Sequence, residues 1–347
     1  MLCLELVIFL PYFGGKTTAC ENVRIGALTQ VLPLLRFFDI LVNIECSFLF
    51  SSTMKRRQFL SVALAATGAA LVAETALTQE IRRLHIAINQ FTCNNIYSRD
   101  GVDFWTRLGE LKSVGVDGIE PTIGSAADAE NIGKRLSDNG LAMRSIYTGG
   151  NFHGENTAEK EIVRILALGE KVKSLGTSVI VINPDAKQGK SDAELIRQSK
   201  NLDILGAGLQ KFDVSLAFHY HTSELEFGAR EFHHILCGTD PKNVSLCFEQ
   251  HWSYRASGNS QVAVFDHLKL YGERSVEVHL RQSIKNVWSE TFGDGDIDNV
   301  RLAAGLKKLP KMPHVVLEQA AEGGTPKTMT AVDVFRQSVE YTRKVFG

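Results

Sequence analysis

Residues 141–183 read LAMRSIYTGGNFHGENTAEKEIVRILALGEKVKSLGTSVIVIN. Two short apolar runs, Leu141–Tyr147 and Thr177–Asn183, flank a longer amphipathic stretch, Ala158–Leu175. The short runs have the length and composition of strands, and the long one has the length and spacing of a helix. Gly176 follows the helix, where a left-handed residue closes the last turn. This stretch is one strand–helix–strand unit, and the same alternation runs from Leu84 to the C-terminus.

The other predicted strands are Leu84–Gln90, Val116–Pro121, Val214–His219, Val244–Glu249, Val276–Arg281 and His314–Glu318. The other predicted helices are Phe104–Val114, Ala126–Asn139, Asp192–Phe212, Ala229–Cys237, Gln261–Tyr271, Val300–Leu309 and Ala331–Val345. Gly115 and Gly140 punctuate helix C-termini, and Ser191 and Asp298 stand where N-caps belong. Eight strands, each followed by a helix, in about 270 residues predict a single α/β (β/α)8 TIM barrel over 77–347. A doubly wound open sheet would usually carry a glycine-rich turn after its first strand, and Asn89-Gln90-Phe91-Thr92-Cys93 is not one.

The 347 residues hold 38 Lys plus Arg against 39 Asp plus Glu, a net charge of −1. Such a chain lacks the cationic field that binds polynucleotide phosphates, so no nucleic-acid partner is expected. The six cysteines form no C-x-x-C, which argues against a disulfide scaffold or a zinc knuckle. Cys237 and Cys247 fall on elements expected to be buried and inert.

Residues 1–53 differ from the rest: their apolar runs are short and aperiodic and none spans a bilayer. They read as a leader or as upstream translation. A second start follows at Met54, with Lys55, Arg56 and Arg57 before a weakly apolar run of small residues. Residues 54–76 thus resemble a twin-arginine signal peptide, which implies export to the periplasm and no stable membrane insertion after its removal.

In a barrel, the C-terminal strand ends converge on one mouth. They supply Asn89, Gln90, Glu120, Tyr147, Asn183 and Asp185 from the first four strands. His219, His221, Glu224, Glu249, His251, His279, Arg281, Glu318 and Gln319 come from the last four. A buried carboxylate costs several kcal/mol unless it is paired or bound to metal, so this concentration points to a divalent cation. Tyr147, Phe152, Trp252, Tyr254 and Trp288 could supply aromatic faces for a sugar ring, or simply anchor loops.

The blocks Phe218-His219-Tyr220-His221, Leu246-Cys247-Phe248-Glu249, Val278-His279-Leu280-Arg281, Gly293-Asp294-Gly295-Asp296-Ile297-Asp298 and Val316-Leu317-Glu318-Gln319 resemble successive blocks of the xylose isomerase-like TIM barrel superfamily. That superfamily includes sugar phosphate isomerases and epimerases, inosose dehydratases and hydroxypyruvate isomerases. The resemblance covers roughly 84–347. It implies Mn2+, Mg2+, Co2+ or Zn2+ held by His219, Glu249, His279 and Glu318, with His221 as an alternative ligand. His219 stands where the epimerases have Glu, and Glu249 where Asp is usual.

The implied chemistry is enolisation of a small sugar or keto-sugar, leading to isomerisation, epimerisation or dehydration. Glu318 would act as base, Glu120 or His251 would deliver the second proton, and Arg281 would face an anionic oxygen. The alternatives are an endonuclease-like phosphodiesterase and a non-catalytic carbohydrate-binding barrel. The first needs a further His after the strand-six acid, where Trp252 stands, and a D-x-H where Asp294-Gly295-Asp296 stands. Barrels of this kind often form homo-oligomers, but no interface can be read from the sequence.

Overall fold

The structure, a computed structural model, describes residues 83–347. The readings of 1–53 as a leader and 54–76 as a signal peptide lie outside the described residues. Among the described residues, no helix is long and apolar enough to cross a membrane.

The expected barrel is present. Its strands are β1 Ile86–Asn89, β2 Gly118–Glu120, β3 Ser145–Gly150, β4 Val179–Pro184, β5 Ser215–Phe218, β6 Val244–Glu249, β7 Ser275–Leu280 and β8 His314–Leu317. All their pairings are parallel, and they form one sheet in the order β2-β1-β8-β7-β6-β5-β4-β3. The sheet's two ends, β2 and β3, meet through isolated bridges rather than a ladder. There the Ile119 N–H donates to the Ala142 carbonyl at 3.0 Å, and the Tyr147 N–H donates to the Pro121 carbonyl at 2.9 Å.

Helices α1 Gln90–Ser98, α2 Leu108–Ser113, α3 Ala126–Asp138, α4 Ala158–Ser174, α5 Asp192–Leu209, α6 Thr222–Gly238, α7 Gln250–Ala256, α8 Gln261–Tyr271, α9 Asn299–Leu306 and α10 Ala331–Phe346 accompany the strands. The apolar stripe of α5 shows why they stay there. Leu195, Leu202, Leu205 and Leu209 are buried, and each contributes about 1.5–3 kcal/mol. Ser191 and Glu194 form a capping box at its start, and Asp298 caps α9 by accepting from the Arg301 N–H.

Successive strand residues face opposite ways. On β4, Ile180 and Ile182 join the large core beneath the helices, while Val179 and Val181 join a smaller cluster with Ala217 and Cys247. The second set faces the barrel interior. Continuing it two residues at a time along β5, β6 and β7 gives His219, Glu249 and the pair Glu277 and His279. Apolar residues therefore plug the barrel's floor, and polar ones crowd its upper end.

Some elements depart from expectation. Helices α1 and α7 follow their strands with no intervening loop, and neither has the long apolar period that marks a helix in sequence. Helix α6 begins at Thr222, not Ala229, but Phe227, Gly228 and Ala229 have φ of 53°, 71° and 58°. This left-handed interruption ends where the predicted helix began. Cys237 is exposed rather than buried, because the C-terminal end of α6 lies on the outer layer.

Candidate active site and metal centre

His219 and Glu318 follow β5 and β8 immediately, Glu249 ends β6, and His279 sits one residue before the end of β7. The β6–β7 register pairs Glu249 with His279, and the His219 and Glu318 N–H groups continue the ladder onto Ile182 and Leu280. The four side chains thereby meet. One donor atom from each lies within 4.8 Å of the others, and all four residues are buried. His219 Nε2 is 3.2 Å, and His279 Nδ1 2.7 Å, from Glu249 Oε1. His279 Nδ1 is 3.9 Å from Glu318 Oε2. His219 Nε2, Glu249 Oε1 and His279 Nδ1 have no hydrogen-bond partner, while Glu318 Oε2 is ion-paired with Arg281 Nη2 at 2.8 Å.

The far side of each imidazole is engaged instead. The His219 Nδ1–H donates to Asn183 Oδ1 at 3.3 Å. The His279 Nε2–H donates to Glu277 Oε1 at 3.2 Å, with Glu120 Oε2 at 3.3 Å. With the Asn183 amide oxygen accepting behind it, His219 Nε2 is left with a lone pair facing the cluster, and His279 would offer a second once it sheds its Nδ1 proton. Asn89 Nδ2 donates to Glu120 Oε2 at 2.5 Å and fixes that carboxylate in turn.

Burial, and the neighbouring His221 and His279, hold the His219 pKa well below 6.5. Burial opposes charge on His279 as well. The Cys247 sulfur and the carboxylates of Glu120 and Glu249 outweigh it, and the pKa is raised well above 6.5. The Glu277 carboxyl is pushed up to about 8 by burial and by the Glu120 carboxylate. Burial works against ionising Glu120 too, but His279 and the surrounding hydrogen bonds hold its pKa below the usual value. Burial raises Glu318, with Arg281 pulling the other way. The carboxylates around His279 therefore favour a positive charge beside them. A divalent ion fits the two imidazole lone pairs and two carboxylates as donors, and binding it would release a proton from the cluster.

Other residues read from the sequence occupy different places. Glu120 lies behind His279, on the side away from the four-atom cluster. His251 is fully buried at the start of α7, among the rings of Trp252, Tyr254 and Trp288. Both its ring nitrogens lack partners, and burial first, then Arg281 and Arg255, lower its pKa to about 2. Arg281 donates from Nε to the Glu318 carbonyl, and its Nη2 lies 2.8 Å from Glu318 Oε2. Its guanidinium stacks over Trp288 at 4.0 Å and Trp252 at 5.3 Å.

A cavity of about 230 Å³ opens above the cluster, walled by Glu318, Arg281, His221, Trp252, Trp288 and Tyr147, among others. Phe152 and Tyr254, also read as sugar-facing aromatics, are buried in the core instead. Trp288 reaches the cavity on a hairpin, Ser283–Ile284 and Val287–Trp288, whose turn residues Lys285 and Asn286 have φ of 54° and 66°. Asp296, from the Gly-Asp-Gly-Asp-Ile-Asp block, accepts from both turn N–H groups and from Ser283 Oγ.

The sequence reading passed over Glu277. Its signal was an acid set between Val276 and Val278, two residues before His279. That places it on the same interior face, where a carboxyl needs a partner.

Fold and site together define an eight-stranded α/β barrel with a buried cluster of two histidines and two glutamates at the C-terminal mouth. The chain belongs to the family described as xylose isomerase-like TIM barrel, whose model matches residues 108–345. Solved structures share the fold at low identity. A sugar phosphate isomerase/epimerase from Parabacteroides distasonis is 15% identical with a TM-score of 0.60, over 75% of this chain and 93% of the other. The 3-keto-D-glucoside 4-epimerase YcjR from E. coli is 15% identical with a TM-score of 0.57, over 76% and 100%. The IOLI protein, solved with a bound zinc atom, is 15% identical with a TM-score of 0.58, over 76% and 98%. No curated protein matches the chain at the sequence level.

Proposed function

We propose that this chain is a divalent-metal-dependent isomerase or epimerase of a small sugar or keto-sugar, with dehydration as the neighbouring possibility. The observation that carries this reading is the convergence of two imidazole nitrogens and two carboxylate oxygens on one buried point, with the imidazoles oriented from behind by Asn183 and Glu277. The sugar isomerases and epimerases among the similar folds support the substrate class. The cavity, about 230 Å³, suits one small molecule rather than a polymer.

His219, Glu249, His279 and Glu318 would hold the ion, and Glu120, Glu277 and Asn183 would orient the two histidines. When bound, the ion supplies Lewis acidity toward a carbonyl and its adjacent hydroxyl. Of the buried carboxylates among the described residues, only Glu318 reaches the cavity wall, so it is the residue placed to take a proton from a substrate carbon. His221 stands on the same wall. Burial lowers its pKa, so it is neutral near pH 7 and able to accept or relay a proton. This gives His221 the second proton-handling position expected of Glu120 or His251. Trp252 and Trp288 offer apolar faces to a sugar ring, with Arg281 held between them and Glu318. Arg56 and Arg57 support export of the folded protein.

The test is proton NMR in D2O of ketoses, inososes and 3-keto-glycosides incubated with the Mn2+-, Mg2+-, Co2+- or Zn2+-supplemented protein. Catalysed exchange of a proton adjacent to the carbonyl in at least one substrate is expected. A panel that stays wholly unlabelled would overturn the assignment of enolising chemistry.

A further inference from the structure

The Phe218-His219-Tyr220-His221 block alternates faces. His219 and His221 turn into the barrel, so Tyr220 turns outward into the helix layer, fully buried beside Phe218 and Phe232. A buried phenol needs a partner, and Ser253 Oγ, 2.9 Å away, would alone supply one. Yet the same hydroxyl also accepts from the Glu249 N–H at 3.2 Å and lies 3.1 Å from the Glu249 carbonyl oxygen. Ser253 Oγ is in turn 3.0 Å from His267 Nδ1 on α8. One proton order satisfies every contact. The Glu249 N–H and the Ser253 hydroxyl donate to the phenol oxygen, the phenol donates to the Glu249 carbonyl, and the His267 Nδ1–H donates to Ser253.

Glu249 is where this matters. Strand β6 ends on it and α7 begins at the next residue, with no loop between. Its φ of −95° and ψ of 87° belong to neither strand nor helix, and its own side chain does not cap α7. Its carboxylate must instead point inward to the cluster. The direction of that carboxylate is set by a backbone bend, and the bend is held by the Tyr220 hydroxyl.

We propose that Tyr220 is a positioning residue for the Glu249 ligand, and that Ser253 and His267 anchor its phenol in a relay from the helix layer to the metal centre. The proposal rests on the metal reading above. It gives the residue between the two histidines of the H-x-H block a task distinct from theirs: the histidines face the ion, and Tyr220 aims a third ligand from behind.

Co2+ titration of the wild-type protein, Tyr220→Phe and Ser253→Ala tests this, with affinity read by calorimetry and ligand geometry by the visible absorption of the Co2+-loaded protein. One Co2+ per wild-type chain is expected. Tyr220→Phe should bind it about tenfold to a hundredfold more weakly, the range seen when outer-shell partners of metal ligands are removed. Its spectrum should change, and Ser253→Ala should fall between the two. A purely packing role would lower the melting temperature of ion-free Tyr220→Phe while leaving affinity and spectrum unchanged, and that result would overturn the proposal alone. A wild-type protein that takes up no Co2+ would end both the proposal and the metal reading. If Tyr220→Phe does not fold, Ser253→Ala decides, and wild-type affinity with a wild-type spectrum there would reject the relay.

Discussion

Glu318→Gln is expected to lower catalysed exchange of the substrate proton by on the order of a thousandfold while leaving the barrel folded. General acid–base groups contribute about 10²–10⁴-fold, and Glu318 is also a ligand in the proposed centre. The amide has nearly the same shape as the carboxylate, but it cannot take the proton. The Arg281 Nε bond runs to the Glu318 main-chain carbonyl and survives the change. Metal content measured beside the rate separates the two roles. A variant that keeps its ion but loses exchange shows Glu318 acting as base, and one that loses both shows it mainly as ligand. Exchange within tenfold of wild type would remove Glu318 from the chemistry.

The second large effect is on stability. A ligand that binds only the folded state at a thousand times its Kd adds about 4 kcal/mol. For a domain near this size that corresponds to roughly 8–16 °C in melting temperature. Chelator-treated protein should gain an increment of this order on adding the preferred ion. Glu249→Ala should gain little, because the gap it leaves lies between His219 and His279. The same gain in wild type and Glu249→Ala would place the ion elsewhere on the molecule.

The barrel was legible because its strands are short apolar runs and its helices end on recognisable residues. Strand β6 was read to the residue, and Gly115, Gly140 and Gly176 have φ of 92°, 68° and 90°, as their positions require. The four clustered residues were legible for a related reason: each lies at or beside the end of its strand after apolar neighbours, and the interior alternation leaves few other places for a charged side chain.

Facing was harder. Glu120 and His251 also stand at strand ends, yet Glu120 pairs with His279 from behind, and His251 is carried off the mouth by the first turn of α7. Sequence position gives the height of a side chain along the barrel axis. It does not say on which side of its neighbour the side chain lies. Helix α1 was missed because Gln90–Ser98 is rich in Asn and Thr, whose helix propensity is low, and tertiary contacts decide it. The Tyr220 contacts join β5, β6 and α8, which only the fold brings together.

The central claim is that His219, Glu249, His279 and Glu318 share one divalent ion, and anomalous diffraction from crystals grown with Mn2+ or Zn2+ tests it most directly. The expected result is a single strong peak about 2.0–2.2 Å from His219 Nε2, Glu249 Oε1, His279 Nδ1 and Glu318 Oε2. A featureless map at that point, with the four side chains pairing only with one another, would contradict the account.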